Sequence, residues 1–428
     1  MGRLSMLPNR AAGAATARPG QPLRLMLVIT RGDELGGAQA YVRDLAIRLV
    51  RDGHDVLVVV GSEGALTDSL AAKGVAWVHL PELVREIQPR SDWQAVRRLT
   101  DLIRSEQPWL VSAHSSKAGI VARLAARRAG VPCVFTVHGW AFNPSEPWPK
   151  RQIYRAIERG CAPLSARIIC VSEDSRQRGI RAGLPSGRMV TIHNGIPDIS
   201  PDLRATPGMP GPLRVAAVAR LAPPKDPLTI VRALAGLDGV HVDFIGDGPL
   251  LPEARQVAAE LGVEDRVRFI GQRDDVPALL AQSHVFVLSS RSEGFPISTL
   301  EAMRAGLPVI VSAVGGAPEA VMPEKTGFVV PPGDPAALRE CVRRLATDPD
   351  LRARMGEAGR CLYEERFTFD RMYEATVALY AEVAASSMSR VAVADASRGH
   401  DLGESLGLSG RAGSEVAEAG ARAVGARR

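Results

Sequence analysis

What this chain lacks narrows it first. No apolar run in its 428 residues approaches the roughly 20 needed to span a bilayer, so no transmembrane helix is expected. Residues 1–21 hold Arg, Ala, Pro and Gly without an apolar stretch, which argues against a secretory signal. Cys133, Cys161, Cys170, Cys341 and Cys361 are odd in number and show neither a CxxC nor a Cys/His metal spacing. A reduced, cytoplasmic protein without structural zinc is the expectation. There is no G-x-G-x-x-G, so a dinucleotide cofactor is not indicated. No metal site of the D-x-D type is expected either, and the Asp274-Asp275 pair reads as a surface turn. The surplus of basic residues is not interleaved with aromatics, so nucleic acid is not an expected partner.

What is present is ordinary for a globular protein: 46% hydrophobic and 23% charged residues, with a net charge of +6. That charge is uneven. Residues 21–205 carry 25 Lys and Arg against 18 Asp and Glu, whereas residues 206–385 carry 19 against 24. In the first half the basic residues cluster at 117–128 and 150–159. Those clusters are either solvated helix faces or a surface for an anionic membrane, where each Lys or Arg contributes about 1 kcal/mol.

Between Ala/Gly/Ser/Arg-rich ends, apolar strand-like runs alternate with helical patterns. The first half gives strands at 23–29, 56–60, 75–80, 110–113, 134–137, 168–171 and 189–192. A Pro/Gly-rich break at 194–212 follows, and the pattern restarts at 213–218, 240–245, 267–270, 285–288, 309–314 and 327–330. Strand-like runs alternating with helices throughout argue for parallel sheets covered on both faces. Two Rossmann-like domains facing across a cleft are therefore expected. The expected division is a disordered tail over 1–21, a first domain over 22–205, a second over 206–366, a terminal helix over 367–385 beginning near an Asp cap, and a disordered tail over 386–428. In such folds ligands sit at the carboxyl ends of the strands.

The candidate site residues fall at those ends. After the run 285–288 come Glu293-Gly294-Phe295-Pro296 and a helix bearing Thr299, Leu300 and Glu301. Two carboxylates with seven residues between them flank a helix start, where free backbone N–H groups attract anions. Ser298…Glu301 also fits a capping box, and Glu293 alone also fits a solvated loop residue. Arg220 and Lys225 stand in a Pro-stiffened loop after the run 213–218, suited to hold a diphosphate. Gly36-Gly37 opens a helix after the first strand, where a backbone without Cβ allows close approach of a phosphate or sugar. His138 ends the run 134–137 and is followed by Gly139. Gly246-Asp247-Gly248 forms a turn suited to anions, although such turns are common. Val276 follows the run 267–270.

Taken together and in this order, the pattern resembles the E-x7-E family of retaining glycosyltransferases with the GT-B fold, glycosyltransferase family four, over residues 23–385. The resemblance implies two Rossmann-like domains and a terminal helix crossing back to the first. It implies a nucleotide-diphosphate sugar as donor, with Glu293 contacting the sugar and Glu301 the ribose. Arg220 and Lys225 would take the diphosphate, and His138 would stand beside the donor sugar. The segment around Gln272–Val276 would receive the base, and Gly36-Gly37 and Gly246 would lie near phosphate. The leaving diphosphate serves as its own base and no metal ion is needed. The His114-Ser-Ser-Lys-Ala-Gly and Val-His-Gly-Trp-Ala-Phe segments resemble bacterial polysaccharide-assembly transferases, which implies a saccharide or lipid-linked saccharide acceptor at the inner membrane face. A sugar-nucleotide 2-epimerase of the same fold and a non-catalytic sugar-nucleotide-binding module are the alternatives.

Overall fold

In the computed structural model, which describes residues 21–405, the strands of the described residues form two all-parallel sheets. The first contains β1 (Arg24–Ile29), β2 (Asp55–Val60), β3 (Ala76–His79), β4 (Leu110–His114), β5 (Cys133–Val137), β6 (Arg167–Cys170) and β7 (Met189–Thr191). Their order is β3-β2-β1-β4-β5-β6-β7. The second contains β8 (Leu213–Val218), β9 (Val240–Ile245), β10 (Val267–Gly271), β11 (Val285–Leu288), β12 (Val309–Ser312) and β13 (Gly327–Val330), ordered β10-β9-β8-β11-β12-β13.

The physical reason is burial. Helices cover both faces of each sheet, so the central strands are buried on both sides and are largely apolar. Met26, Leu27 and Val28 are fully buried in succession, as are Val58, Val59 and Val60. Register follows: Ile29 of β1 lies opposite Val60 of β2 on one side and His114 of β4 on the other.

Strand order places the crevice. β1 has β2 and β4 as neighbours, so the connections leaving β1 and β4 depart in opposite directions and open a gap at their carboxyl ends. β8 and β11 do the same in the second sheet. These are the topological switch points at which α/β folds hold ligands.

Both sheets belong to one unit ending at Ala385. The chain crosses between them twice, and the crossings touch: the Ile196 N–H donates to Phe367 O (3.1 Å) and the Phe369 N–H to Ile196 O (2.9 Å). Beyond the second crossing the helix Phe369–Ser405 returns to the first sheet. Its Met372, Tyr373, Leu379, Tyr380 and Val383 share a core with Leu25, Leu27 and Val58. Asp370 does not cap this helix. It lies inside the first turn, where a carboxylate complements the helix dipole, and pairs with Arg48 at 2.7 Å. Helix continues past Ser386, where a disordered tail was expected, as far as Ser405. No Gly or Pro falls between 382 and 398, so backbone propensity does not stop it there. The expected tails over 1–20 and 406–428 lie outside the described residues.

Candidate active site

The loop leaving β11 meets the loop leaving β8. Lys225 Nζ lies 2.5 Å from Glu293 Oε1, and the Ser290 hydroxyl donates to the same oxygen at 2.5 Å. The Glu293 side chain is 9% exposed and that of Lys225 21%, so this pair is largely shielded from water. The two loops are held in register from behind. The Asp226 N–H donates to Ser289 O, and the Asp226 carboxylate accepts from the Thr229 N–H and from Arg291. Asp226 thereby caps the helix Pro227–Leu234 and fixes where the Lys225 loop ends.

Gly294 brings this loop against the first domain. A Cβ there would stand 2.0 Å from the His138 carbonyl oxygen, so no other residue permits the approach. Asn194 donates to Phe295 O at 2.8 Å. The Phe295 ring is buried between His193 and Phe367 where the two crossings of the chain meet.

Pro296 is the cap of the helix Ile297–Arg304, and no side chain caps it. Ser298 and Glu301 both lie inside the helix, so the S-x-x-E capping box is not formed. Thr299 and Leu300 are fully buried, and the Thr299 hydroxyl has no hydrogen-bond partner among the described residues. Burial raises the Glu301 carboxyl above the ordinary range, opposed by the charges of Arg304 and Arg43, with Asp44 adding to the rise. Arg43 and Asp44 belong to the helix Gly37–Arg51 of the first domain, so Glu301 faces across the cleft. Ile297 comes as close as 3.5 Å to where a Cβ on Gly37 would stand.

Gly36 is the residue before that helix, whose first turn carries no acidic side chain. Its N-terminal amides have no side-chain cap, the local requirement for an anion site. Arg220 is half-exposed and 3.8 Å from Glu34, which also pairs with Arg31 at 2.7 Å. Arg31 in turn grips Asp33 and holds its carboxyl well below the usual range, against the effect of burial. The loop after β1 and the loop after β8 thus face one another through charged groups.

The two remaining donor-side expectations, Gly246 and Val276, lie in the loops after β9 and β10. The Gly246 N–H is spent on Gly271 O, and the Gly248 N–H on its neighbour Asp247. A Cβ on Gly246 would meet Ala219 O at 2.0 Å, so the glycine is demanded by the backbone beneath Arg220. This turn supports the Arg220 loop. Val276 begins the helix Val276–Ala281 after β10 and is partly buried. Asp275 is exposed and pairs with Arg273, as a surface turn should.

His138 follows β5. Its Nε2 lies 3.3 Å from His114 Nδ1, and the Tyr41 ring packs edge-on at 5.0 Å. Burial pushes the His138 pKa down to about 4, so the ring is neutral at physiological pH. A neutral imidazole beside a shielded Lys–Glu pair is equipped to hydrogen-bond hydroxyls, and the cationic side chains to receive an anionic leaving group.

One residue escaped the sequence reading. Glu319, after β12, accepts from the Glu173 and Asp174 amides (2.8 and 2.7 Å) and pairs with His193 Nε2 at 2.8 Å. It places a second-domain carboxylate on the N-terminus of the first-domain helix Glu173–Arg181, the favourable end of its dipole. The adjacent Gly315-Gly316 was the available signal. A Cβ on Gly316 would meet the Ser172 side chain, so a first-domain side chain lies against the second-domain backbone there.

Residues 202–361 match the family model described as Glycosyl transferases group 1, and residues 35–198 that described as Glycosyltransferase Family 4. The chain is 32% identical over 326 residues to the UDP-Gal:alpha-D-GlcNAc-diphosphoundecaprenol alpha-1,3-galactosyltransferase of Escherichia coli, covering 71% of this chain and 83% of that one. It is 30% identical over 353 residues to the GDP-mannose-dependent alpha-(1-6)-phosphatidylinositol monomannoside mannosyltransferase of Mycobacterium tuberculosis H37Rv, covering 76% and 89%. In structure it is similar to Anabaena Alr3699/HepE, solved in complex with UDP, at TM-score 0.72 and 25% identity over 84% of this chain and all of that one.

Proposed function

The chain belongs to glycosyltransferase family 4 and is a glycosyltransferase of the GT-B fold; from this we propose that it transfers a hexosyl or N-acetylhexosaminyl unit from a UDP-sugar to a lipid-linked saccharide. The transfer retains anomeric configuration and serves bacterial exopolysaccharide, capsule or O-chain assembly. The observation that carries the reading is the Lys225–Glu293 pair at 2.5 Å, set beside Gly294 where the second domain meets His138.

In this reading Arg220 and Lys225 receive the diphosphate, and the amides after Gly36 lie within reach of it. Glu293 and His138 hold sugar hydroxyls, and Glu301 the ribose. The bond between the anomeric carbon and the β-phosphate oxygen breaks with its electron pair going to phosphate. The acceptor oxygen bonds to the same face, and its proton passes to the departing phosphate, so no side-chain base is required. Arg220 and Lys225 stabilise the charge as it develops, which fits turnover without a metal ion.

The relatives support the choice of substrates. The Escherichia coli protein is named for UDP-galactose and a diphosphoundecaprenol-linked sugar, and the Anabaena protein was solved with UDP. No described helix is long and apolar enough to cross a membrane. Reaching a lipid-linked acceptor from the cytoplasmic side then needs a surface contact. Three neighbouring first-domain helices, Pro89–Glu106, Ser116–Ala129 and Trp148–Cys161, offer one. Trp93, Leu124, Trp148 and Ile153 are exposed on them, among Arg128, Lys150 and Arg151. Exposed tryptophan beside basic side chains is the composition of a surface that lies in the headgroup region.

The transfer assay separates this reading from its alternatives. Incubation with UDP-galactose or UDP-GlcNAc and an α-GlcNAc-diphosphoprenyl lipid is expected to yield a longer lipid-linked saccharide and free UDP, in EDTA. An epimerised nucleotide sugar, formed with no acceptor present, would assign the chain to epimerisation instead.

A further inference from the structure

A line of buried hydrogen bonds runs from His138 to the terminal helix. His138 Nε2 meets His114 Nδ1 at 3.3 Å, and His114 Nε2 meets the Ser112 hydroxyl at 3.0 Å. The Ser112 hydroxyl meets the Tyr380 hydroxyl at 2.6 Å. Ser112, His114 and Tyr380 are all fully buried. A second anchor runs beside the first: the Tyr41 ring packs on both imidazoles, and its hydroxyl lies 3.4 Å from the Thr376 hydroxyl. Thr376 and Tyr380 are four residues apart, on one face of the helix Phe369–Ser405.

The three bonds can run in either direction, and only one direction gives the Tyr380 hydroxyl an acceptor among the described residues. A phenol donates more readily than it accepts, and Tyr380, buried and held well above its usual pKa, keeps its proton. Tyr380 therefore donates to the Ser112 oxygen. Ser112 has one proton, and its other partner is His114 Nε2, so it donates there. Burial, and then the neighbouring His138, hold His114 neutral, and a neutral imidazole with Nε2 accepting carries its proton on Nδ1. That N–H donates to His138 Nε2, and His138, also neutral, is left with its proton on Nδ1.

We propose that Tyr380, Ser112 and His114 are positioning residues that fix His138 as its Nδ1-protonated tautomer, so that the ring presents a donor to the cleft. The terminal helix thus sets the chemistry of a site residue 242 positions earlier in the chain, in addition to closing the fold. In free histidine the proton favours Nε2, so the line selects the less common form. That His138 serves the donor sugar rests on the proposed function, whereas its tautomer does not.

The test is long-range 1H–15N correlation on the full chain labelled with 15N-histidine at pH 7.5, with His114 and His138 assigned by single replacement with Asn. Both rings are expected to show a protonated Nδ1 and an unprotonated Nε2. Ser112→Ala removes the donor to His114 and is expected to give mixed tautomers at both rings. With a UDP-sugar as donor, kcat/KM should then fall roughly tenfold, the worth of one well-placed hydrogen bond. Ser112→Thr, which restores the hydroxyl, should recover both. A proton on Nε2 of His138 in the unmodified chain overturns the proposal, and so does a Ser112→Ala variant with unchanged tautomers. Should Ser112→Ala not fold, the unmodified chain decides alone. If the tautomers are as expected but no UDP-sugar is turned over, the line stands and the donor assignment fails.

Discussion

Replacing Lys225 by alanine tests the site at its centre. Its ammonium is 2.5 Å from Glu293 and only 21% exposed, so its removal does two separable things. It withdraws a cation from the leaving diphosphate, and it leaves Glu293, 9% exposed, with Ser290 as its remaining side-chain partner. Loss of one donor aimed at developing charge typically lowers kcat by about 10²–10³-fold, or about 2.7–4 kcal/mol. Loss of a partner from a partly buried pair costs less than the 3–5 kcal/mol of a fully buried one, so the variant should fold with a lowered melting temperature. Steady-state UDP release measures the first effect and thermal unfolding the second. Glu293→Gln in the Lys225→Ala background removes the stranded charge. It should recover stability while kcat stays low. Full recovery of kcat in the double variant would mean that Lys225 only neutralises Glu293, and wild-type kcat in the single variant would remove its role altogether.

Four further expectations follow. Gly294→Ala puts a methyl 2.0 Å from the His138 carbonyl; overpacking of this kind costs about 1–3 kcal/mol, and activity should fall with the melting temperature. His138 titrates near 4 rather than near its ordinary value of about 6.5, and a buried neutral His binds fewer protons folded than unfolded, so stability should fall as pH drops through that window, seen as a falling urea midpoint. Glu319 acts in the same direction: burial raises its carboxyl, but His193 and two amides outweigh that and hold it low, so its contribution is full above the usual glutamate pKa and is lost as pH falls through the folded value, a component that Glu319→Gln should remove. The full chain should float with anionic vesicles at low salt, and Trp148→Glu with Ile153→Glu should abolish this; undiminished flotation of the double variant would place membrane contact elsewhere.

The strands were legible because parallel, twice-covered strands are largely apolar and alternate with helices, and each run in the sequence lies in a sheet at nearly its expected bounds. Glu293 and Glu301 were legible as a spacing, but their roles were not. The capping-box alternative fell only when Pro296 proved to be the residue before the helix, with Ser298 already inside it. The Gly246 turn looked free for an anion, and only the fold shows its N–H spent on Gly271. The polar line behind His138 was out of reach for a different reason. Ser112 and Tyr380 are 268 residues apart, and neither sits in a motif that announces the other. Glu319 reaches back 146 residues to Glu173 in the same way. Local pattern locates strands and loops, whereas long-range pairing decides which side chains they bring together.

The measurement that bears most directly on the central claim is thermal unfolding of the full chain with UDP-, GDP- and ADP-sugars in EDTA. A ligand at 100 times its dissociation constant stabilises by about 2.7 kcal/mol, well within detection. The account predicts a metal-independent rise in melting temperature with UDP-sugars, lost in Lys225→Ala and Arg220→Ala. No rise with any nucleotide sugar, or a rise untouched by both substitutions, would contradict it.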